Sequence, residues 1–535
     1  MAKEIIYGEE ARRKLKNGVD QLARAVSTTL GPRGRNVTLK RLYGTPQVVH
    51  DGVTVAKEVV LKDPFEDAGA QLVREAASQT NDAAGDGTTT ATVLTQSIVD
   101  EGLRNISAGV NPMSIRKGLE NATLLCLETL KEIARPIKEK DEKFQVARVS
   151  AQNDEIGRLI ADAMEKVGDD GVIAIEESNG LEMGLDYKDG MQFEKGYISP
   201  YFVNNTDRGI VEIDKPHILV CGDIISNAQE LLPALQTYVN EIGGNNIVVI
   251  ADDVEKEALG ALILNKVKGT LNTVAIKAPA FGDTKKAILE DIAVLTGATL
   301  ISKEMGNRLD SITVEDFGLA DKVTVTHDTT TIVGGKGSEE DINVRVENIK
   351  TLIEKEKSEY EKDKLRKRLA KLTTGVAVIQ VGAASEAELI EKKLRVEDAV
   401  NATKAAVEEG IVPGGGTVLL KLQTILRGHD FPEDEKLGAK ILERALQRPA
   451  ELLVENAGYN AGEILGDLRR NYIQEKELND THGFDVTTGE FVDMIDRGII
   501  DPVKVTRSAI QNAVSAAVMI LTTDCIIVDE EKEEK

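Results

Sequence analysis

The chain has 535 residues, enough for about three or four domains of ~150 residues each. Its formal net charge of −24 argues against nucleic acid or an anionic membrane surface as a partner, and 3% aromatic content without Trp leaves little for stacking on bases. No run approaches the ~18 consecutive apolar residues of a membrane span, and Met1–Gly8 lacks the apolar core of a signal peptide, which predicts a cytoplasmic protein.

In chain order, residues 9–135 read as mostly helical. Ala-rich amphipathic segments at 64–84, 88–108 and 113–134 are separated by Gly, Asn and Pro. Pro112 directly after Asn111 suits the first turn of a helix. Between about 170 and 335, short β-branched runs alternate with helical stretches, as in an α/β domain. The runs begin at Gly171, His217, Asn246 and Thr273. Residues 339–372 are charged and helical, with Ile342, Val346, Ile349 and Ile353 at heptad-like spacing. This fits a helical hairpin packed on that domain or a dimerising coiled coil, and too few heptads are present to favour the coil. Helices return from about 385 to 475, including a long one from Glu386 towards Gly410, and the charged tail Asp529–Lys535 is expected to be disordered.

Helical ends around an α/β middle predict a multidomain α+β protein with an inserted domain. Gly190 and Gly375 flank the insertion, and Pro136 and Gly410 flank the outer junctions, all residue types that bend or punctuate the backbone. Cys126, Cys221 and Cys525 are an odd, scattered set that fits free thiols in a reducing compartment. The five histidines show no paired spacing, so no structural zinc site is expected.

The chemistry concentrates in loops. In Gly85-Asp86-Gly87-Thr88-Thr89-Thr90, two glycines allow close backbone approach, while threonine hydroxyls and free N–H groups at a helix start suit phosphate. Asp86 suits Mg²⁺, which takes one or two carboxylates plus phosphate oxygens. The plainer reading is a capped helix after a flexible turn, and no Gly-x-x-x-x-Gly-Lys-[Ser/Thr] loop occurs. Further candidates are the tight turn Thr29-Leu30-Gly31-Pro32, the run Gly414-Gly415-Gly416, and the carboxylates Asp51 and Asp398. Separately, apolar residues of the segment 258–267 spread over roughly 240° of a helical projection, far more than the usual ~100° stripe. That pattern suits either a helix buried on nearly all sides or an exposed apolar surface.

These motifs, with the segments after Asp51, around Arg395–Ala399, Gly410–Gly416 and Asp501–Arg507, closely resemble the GroEL-type (group I) chaperonins from about residue 2 to 528. The resemblance implies an equatorial ATPase domain from 1–135 and 410–535, an intermediate hinge domain from 136–189 and 376–409, and an apical domain over 190–375. It implies an ATP site at Thr29, Leu30, Gly31, Pro32, His50, Asp86, Gly87, Thr88, Thr89, Thr90, Gly415, Asp485, Val486, Thr487 and Asp501. Asp86 matches the Mg²⁺ ligand, Asp398 the carboxylate that promotes attack by water, and Asp51 a second carboxylate near the γ-phosphate. Tyr197, Tyr201, Phe202, Leu232, Leu235, Leu259, Ile263 and Leu264 match the apolar set that grips unfolded proteins and a GroES-type lid. Rings of roughly seven subunits, usually paired, are implied.

Departures from the family pattern bear on particular contacts. His50 stands where Lys is frequent, which bears on phosphate or K⁺ there, and Asp485 stands in a stretch that contacts adenine. The Gly-Gly-Met-rich tail is absent, and Glu451 and Asn460 replace an Arg and Glu that pair across rings, which leaves a single ring open. A metabolic phosphotransferase would need a small-substrate constellation, and none is found. A non-hydrolysing scaffold would have lost Asp51, Asp86 or Asp398, and all three are present.

Overall fold

Side-chain caps set where several helices of the N-terminal third begin. In the computed structural model, Asp63 accepts from the Phe65 and Glu66 N–H groups and Pro64 fills the first turn of the helix Pro64–Ala84. Asn111 caps Pro112–Ile133 in the same way, accepting from the Met113 N–H. The described residues are 3–40, 47–49, 51–137, 139–169, 171–178, 180–206, 208–280, 282–356, 358–471 and 481–529.

The chain forms two compact units. One comprises Met1–Asp162, Asn179–Glu182 and Val381–Lys535; the other comprises Ala163–Ser178 and Met183–Gln380. In the first, helices Gly8–Ser27, Pro64–Ala84, Thr88–Ser107, Pro112–Ile133 and Val503–Thr522 surround a core of aliphatic side chains such as Leu22, Leu94, Ile98, Leu119 and Ile510. Burying each such side chain stabilises by about 1.5–3 kcal/mol, so the shortage of aromatics does not weaken the core. Two glycines let the first two of these helices touch backbone to backbone. A Cβ on Gly18 would fall 1.8 Å from the Glu66 carbonyl oxygen, and one on Gly69 would fall 2.2 Å from that of Leu15. The strand Lys3–Tyr7 pairs antiparallel with Cys525–Asp529. The strands Val37–Leu39 and Gln47–Val49 form a further pair inside the stretch expected to be helical.

The second unit is the α/β part. Strands Asn272–Lys277, Asn246–Val254, His217–Ile225 and Leu300–Ile301 lie side by side in that order and run parallel, with Gly318–Leu319 added antiparallel. Their interiors are fully buried apolar runs, as parallel strands covered on both faces require. An antiparallel sheet, Gly190–Phe193, Thr330–Val333, Lys322–Val325 and Val211–Asp214, completes the main core.

Residues 339–372 form the hairpin of the two expected alternatives. Helices Glu339–Lys355 and Glu359–Thr373 pack together, with Val346, Ile349 and Leu372 buried between them. The hairpin is fastened through the buried Asp291. Arg345 Nε donates to its Oδ1 at 2.7 Å, and Arg368 Nε donates to its Oδ2 at 2.8 Å. Among the described residues no helix is long and apolar enough to cross a membrane.

Candidate functional site

The site lies within the first unit, and a left-handed turn starts it. The helix Pro64–Ala84 ends at Gly85 with φ +72°, Gly87 follows with φ +87°, and the helix Thr88–Ser107 begins there with no side-chain cap. Thr88, Thr89 and Thr90 therefore form an opening turn whose N–H groups point out of the helix unsatisfied by any capping side chain. A second uncapped start occurs at Gly415 and Gly416, φ +63° and +74°, before the helix Thr417–Gly428.

Three carboxylates meet at these turns. Asp86 accepts from its neighbour's N–H at Gly87, at 2.5 Å. Its side chain is open to solvent, yet enough protein surrounds it that lost hydration raises its pKa; the Gly87 N–H opposes this, and the Asp51 carboxylate adds to the rise. Asp501, on the strand Ile500–Pro502, is pushed up to about 7 by the same loss of hydration and then by Asp86. That strand pairs with Ile411–Pro413, which sets the Asp501 carboxylate oxygen 2.9 Å from where a Cβ on Gly414 would stand.

Asp51 is rigidly held. It caps the helix Gly52–Glu58, accepting from the Val53 N–H at 3.1 Å, the Thr54 N–H at 2.8 Å and the Thr54 hydroxyl at 2.7 Å. Gly52 then presses on the threonine turn, since a Cβ there would fall 2.2 Å from Thr89 Oγ1 and 3.1 Å from Thr88 Oγ1. Thr29 Oγ1 lies 3.5 Å from Thr89 Oγ1, which brings the Thr29–Pro32 turn to the same place.

Neighbouring elements hold that turn in place. Asn456 Nδ2 donates to the carbonyls of Ser27 and Leu30, and Gly31, φ +83°, is packed on Leu453. Arg33 Nη2 donates to the Thr487 carbonyl at 3.0 Å, tying the turn to the hairpin of strands His482–Asp485 and Glu490–Asp493. There the buried Asp485 accepts from the Thr487 N–H at 2.8 Å and lies 3.7 Å from Arg497 Nε. Val486 packs with Phe484, Val454 and Leu453, an apolar wall beside the polar turns. Gly415 and Gly483 both press on Met494.

Asp398 sits midway along the helix Glu386–Glu409. Asn401, one turn further on, lies over Gly85 so closely that a Cβ on the glycine would stand 2.1 Å from Asn401 Cβ. Residues three apart share a helix face, so Asp398 lies on the same face of its helix as Asn401. The expected residues Thr29 to Pro32, Asp51, Asp86 to Thr90, Gly415, Asp485 to Thr487 and Asp501 thus belong to one neighbourhood, with Asp398 on the Asn401 face of the adjoining helix. His50 lies outside the described residues. Sequence reading passed over Gly52, Asn401, Arg33, Asn456 and Met494, which act by shape or by backbone contact rather than by a recognisable motif.

Among the described residues no three side chains are grouped closely enough to hold a metal ion unaided. The donor set nonetheless suits a cation that brings its own oxygen ligands, because Asp51 acts on Asp86 and Asp86 on Asp501 as like charges.

The second unit carries the apolar candidates. Tyr201 is 72%, Leu264 53% and Leu232 50% exposed, joined by Val267 and by Val239, the second of which the sequence did not single out. Tyr197, Leu259 and Ile263 are half-buried against the core. Phe202 and Leu235 correct the expectation of an exposed set, since both are packed inside the core. The helix Lys256–Val267 explains its own wide apolar spread: Ala258 and Leu262 face inward while Leu264 and Val267 face water.

The model of the TCP-1/cpn60 chaperonin family matches residues 22–531. Among solved structures, the chain is similar to chaperonin gp146 from bacteriophage EL 2 (Pseudomonas aeruginosa), solved in the presence of ATP-BeFx. Identity is 22% over 98% of this chain and 99% of that one, with a TM-score of 0.70 for crystal form II and 0.63 for form I. At that identity the likeness speaks for the multidomain α+β fold, whereas the family match extends over nearly the whole length. The chain belongs to the TCP-1/cpn60 chaperonin family.

Proposed function

We propose that this chain is the ATP-hydrolysing subunit of a ring that captures non-native proteins and encloses them during folding. The observation that carries the reading is the meeting of Asp51, Asp86 and Asp501 at two uncapped helix starts. Uncapped N–H groups attract phosphate, and crowded carboxylates favour a divalent cation that the phosphates help to ligate. In this reading Asp86 holds Mg²⁺, with Asp501 close by. The Thr88–Thr90 turn and Gly415 line the phosphates, and the Thr29–Pro32 turn flanks them. The apolar wall at Val486, with Asp485 and Thr487, receives the base.

Asp398 acts as the base that orients the attacking water, and Asp51 stabilises charge near the γ-phosphate. Catalysis is then positioning and electrostatics, as phosphoryl transfer to water requires. The segments 136–189 and 376–409 serve as a hinge domain that brings Asp398 in, between an equatorial domain at 1–135 and 410–535 and an apical domain at 190–375. Tyr201, Leu232 and Leu264 supply exposed apolar area without specific polar contacts, which suits unfolded clients and a GroES-type lid. Assembly is a cytoplasmic ring of about seven subunits, closed by symmetry.

Asp398→Ala tests the reading. Nucleotide binding is expected to persist while steady-state turnover falls by about 100-fold or more, the scale of a lost general base. Wild-type turnover in this variant rejects the assignment.

A further inference from the structure

The chain carries a net charge of −24, yet one face of its helical unit gathers cations. A groove of about 880 Å³ runs among the helices Thr88–Ser107, Thr417–Gly428, Lys436–Ala445 and Arg448–Asn456. Arg427, Lys436, Lys440, Arg444 and Arg448 line it against three carboxylates. All three carboxylates are engaged: Glu443 by Arg427 at 2.7 Å, Glu101 by Arg444 at 3.0 Å and Glu451 by Arg448 at 3.1 Å. A guanidinium has five N–H donors, so each of these pairs leaves donors over. Lys440 has no carboxylate partner among the described residues.

Behind two residues of the lining, Gln423 and Gln447, lies a further cation, Arg469. Arg469 Nη2 donates to Gln423 Oε1 at 2.9 Å and Gln447 Oε1 at 2.6 Å, both neutral acceptors. Its Nε is buried with no partner among the described residues. Loss of hydration and the nearby Arg427 both work against its charge. Cations gathered along one groove, with Lys440 left unpaired among the described residues, favour the approach of an anion.

We infer that this groove binds a multivalent phosphate-class anion. Guanidinium forks match phosphate oxygens in geometry, and the lysines add charge without directional demand. The volume exceeds what a single phosphate fills and suits a linear chain of phosphates. None of the lining residues belongs to the proposed ATP site, so the two sites are separate.

The test is calorimetric titration of the full chain with sodium tripolyphosphate, without Mg²⁺ and at low ionic strength, where screening is weakest. One anion per subunit is expected, with affinity reduced about tenfold or more in Lys440→Glu and in Arg444→Glu. ATP turnover should be unchanged in both variants, because each alters only an exposed side chain away from the ATP site. Absence of binding at millimolar anion overturns the inference, as does wild-type affinity in both variants. Displacement by ADP would assign the anion to the other site, and equal affinity for citrate would overturn the phosphate assignment.

Discussion

Asp501 stands beside Asp86, and loss of hydration, followed by repulsion from the Asp86 carboxylate, pushes it up to about 7, far above its ordinary 3.8. A carboxyl raised in the folded state binds its proton more tightly there than in the unfolded chain. The stability it confers is complete below about 4 and is lost as pH rises through about 7. The nucleotide-free protein should therefore lose thermal stability between about pH 4 and 7, and Asp501→Asn should flatten that slope. Scanning fluorimetry across pH checks this; parallel profiles for the two proteins would refute it. Because a cation must displace the Asp501 proton, Mg-ATP affinity should also rise over this range, by up to about tenfold per pH unit.

Gly85 is the contact through which the Asp398 helix meets the loop. Gly85→Ala places a methyl group onto Asn401 and forces a left-handed backbone on a residue that resists it, at about 1–2 kcal/mol. Displacing the helix by an ångström is expected to slow ATP turnover by about 100-fold. Gly85→Ala/Asn401→Gly should recover part of the rate by reopening the space. Full turnover in the single variant would show that the contact does not position Asp398.

The apolar positions of the second unit separate by burial. Leu232→Ser and Leu264→Ser alter exposed side chains and should change stability by less than about 0.5 kcal/mol while impairing suppression of client aggregation. Leu235→Ser empties a core position and should destabilise by about 2–5 kcal/mol. Light scattering of an aggregating client, read beside a melting curve for each variant, distinguishes the two outcomes. Normal suppression by both exposed-site variants would remove client capture from this surface.

Asp291 is buried between Arg345 and Arg368, and both arginines also donate to the Ala287 carbonyl. Asp291→Ala leaves two guanidinium groups without their shared carboxylate, an effect of about 3–5 kcal/mol for a buried charge cluster. Hydrogen exchange should accelerate across Glu339–Thr373 and little elsewhere. Uniform acceleration over the whole unit would mean that the cluster supports the sheet rather than fastening the hairpin.

Local pattern carried much of this fold. The expected helices at 64–84, 88–108 and 113–134 appear within a residue or two of Pro64–Ala84, Thr88–Ser107 and Pro112–Ile133. All four β-branched runs are strands, because continuous apolar stretches between turns have few other solutions. Lys3–Tyr7 escaped notice because its partner, Cys525–Asp529, lies at the far end of the sequence and no local signal announces it. Phe202 and Leu235 were misjudged because an apolar side chain reads the same whether the chain folds over it or leaves it bare. Within the site, glycines and carboxylates were legible as residue types. Asn401, Gly52 and Arg33 were not, since their part depends on what lies opposite them.

The return of the last helix to the first ones sets an order of events during synthesis. Asn512 on the helix Val503–Thr522 donates to Thr80, 432 residues earlier in the chain. At ~5–20 residues per second, the ribosome needs roughly twenty to ninety seconds to deliver one after the other. Meanwhile Pro64–Ala84, Thr88–Ser107 and Pro112–Ile133 have emerged with the apolar faces that Val503–Thr522 will cover still bare. The α/β unit, drawn mostly from one continuous stretch, has everything it needs before the chain is finished. A nascent chain of this kind is itself non-native for most of its time on the ribosome, and its helical unit is the last part to mature.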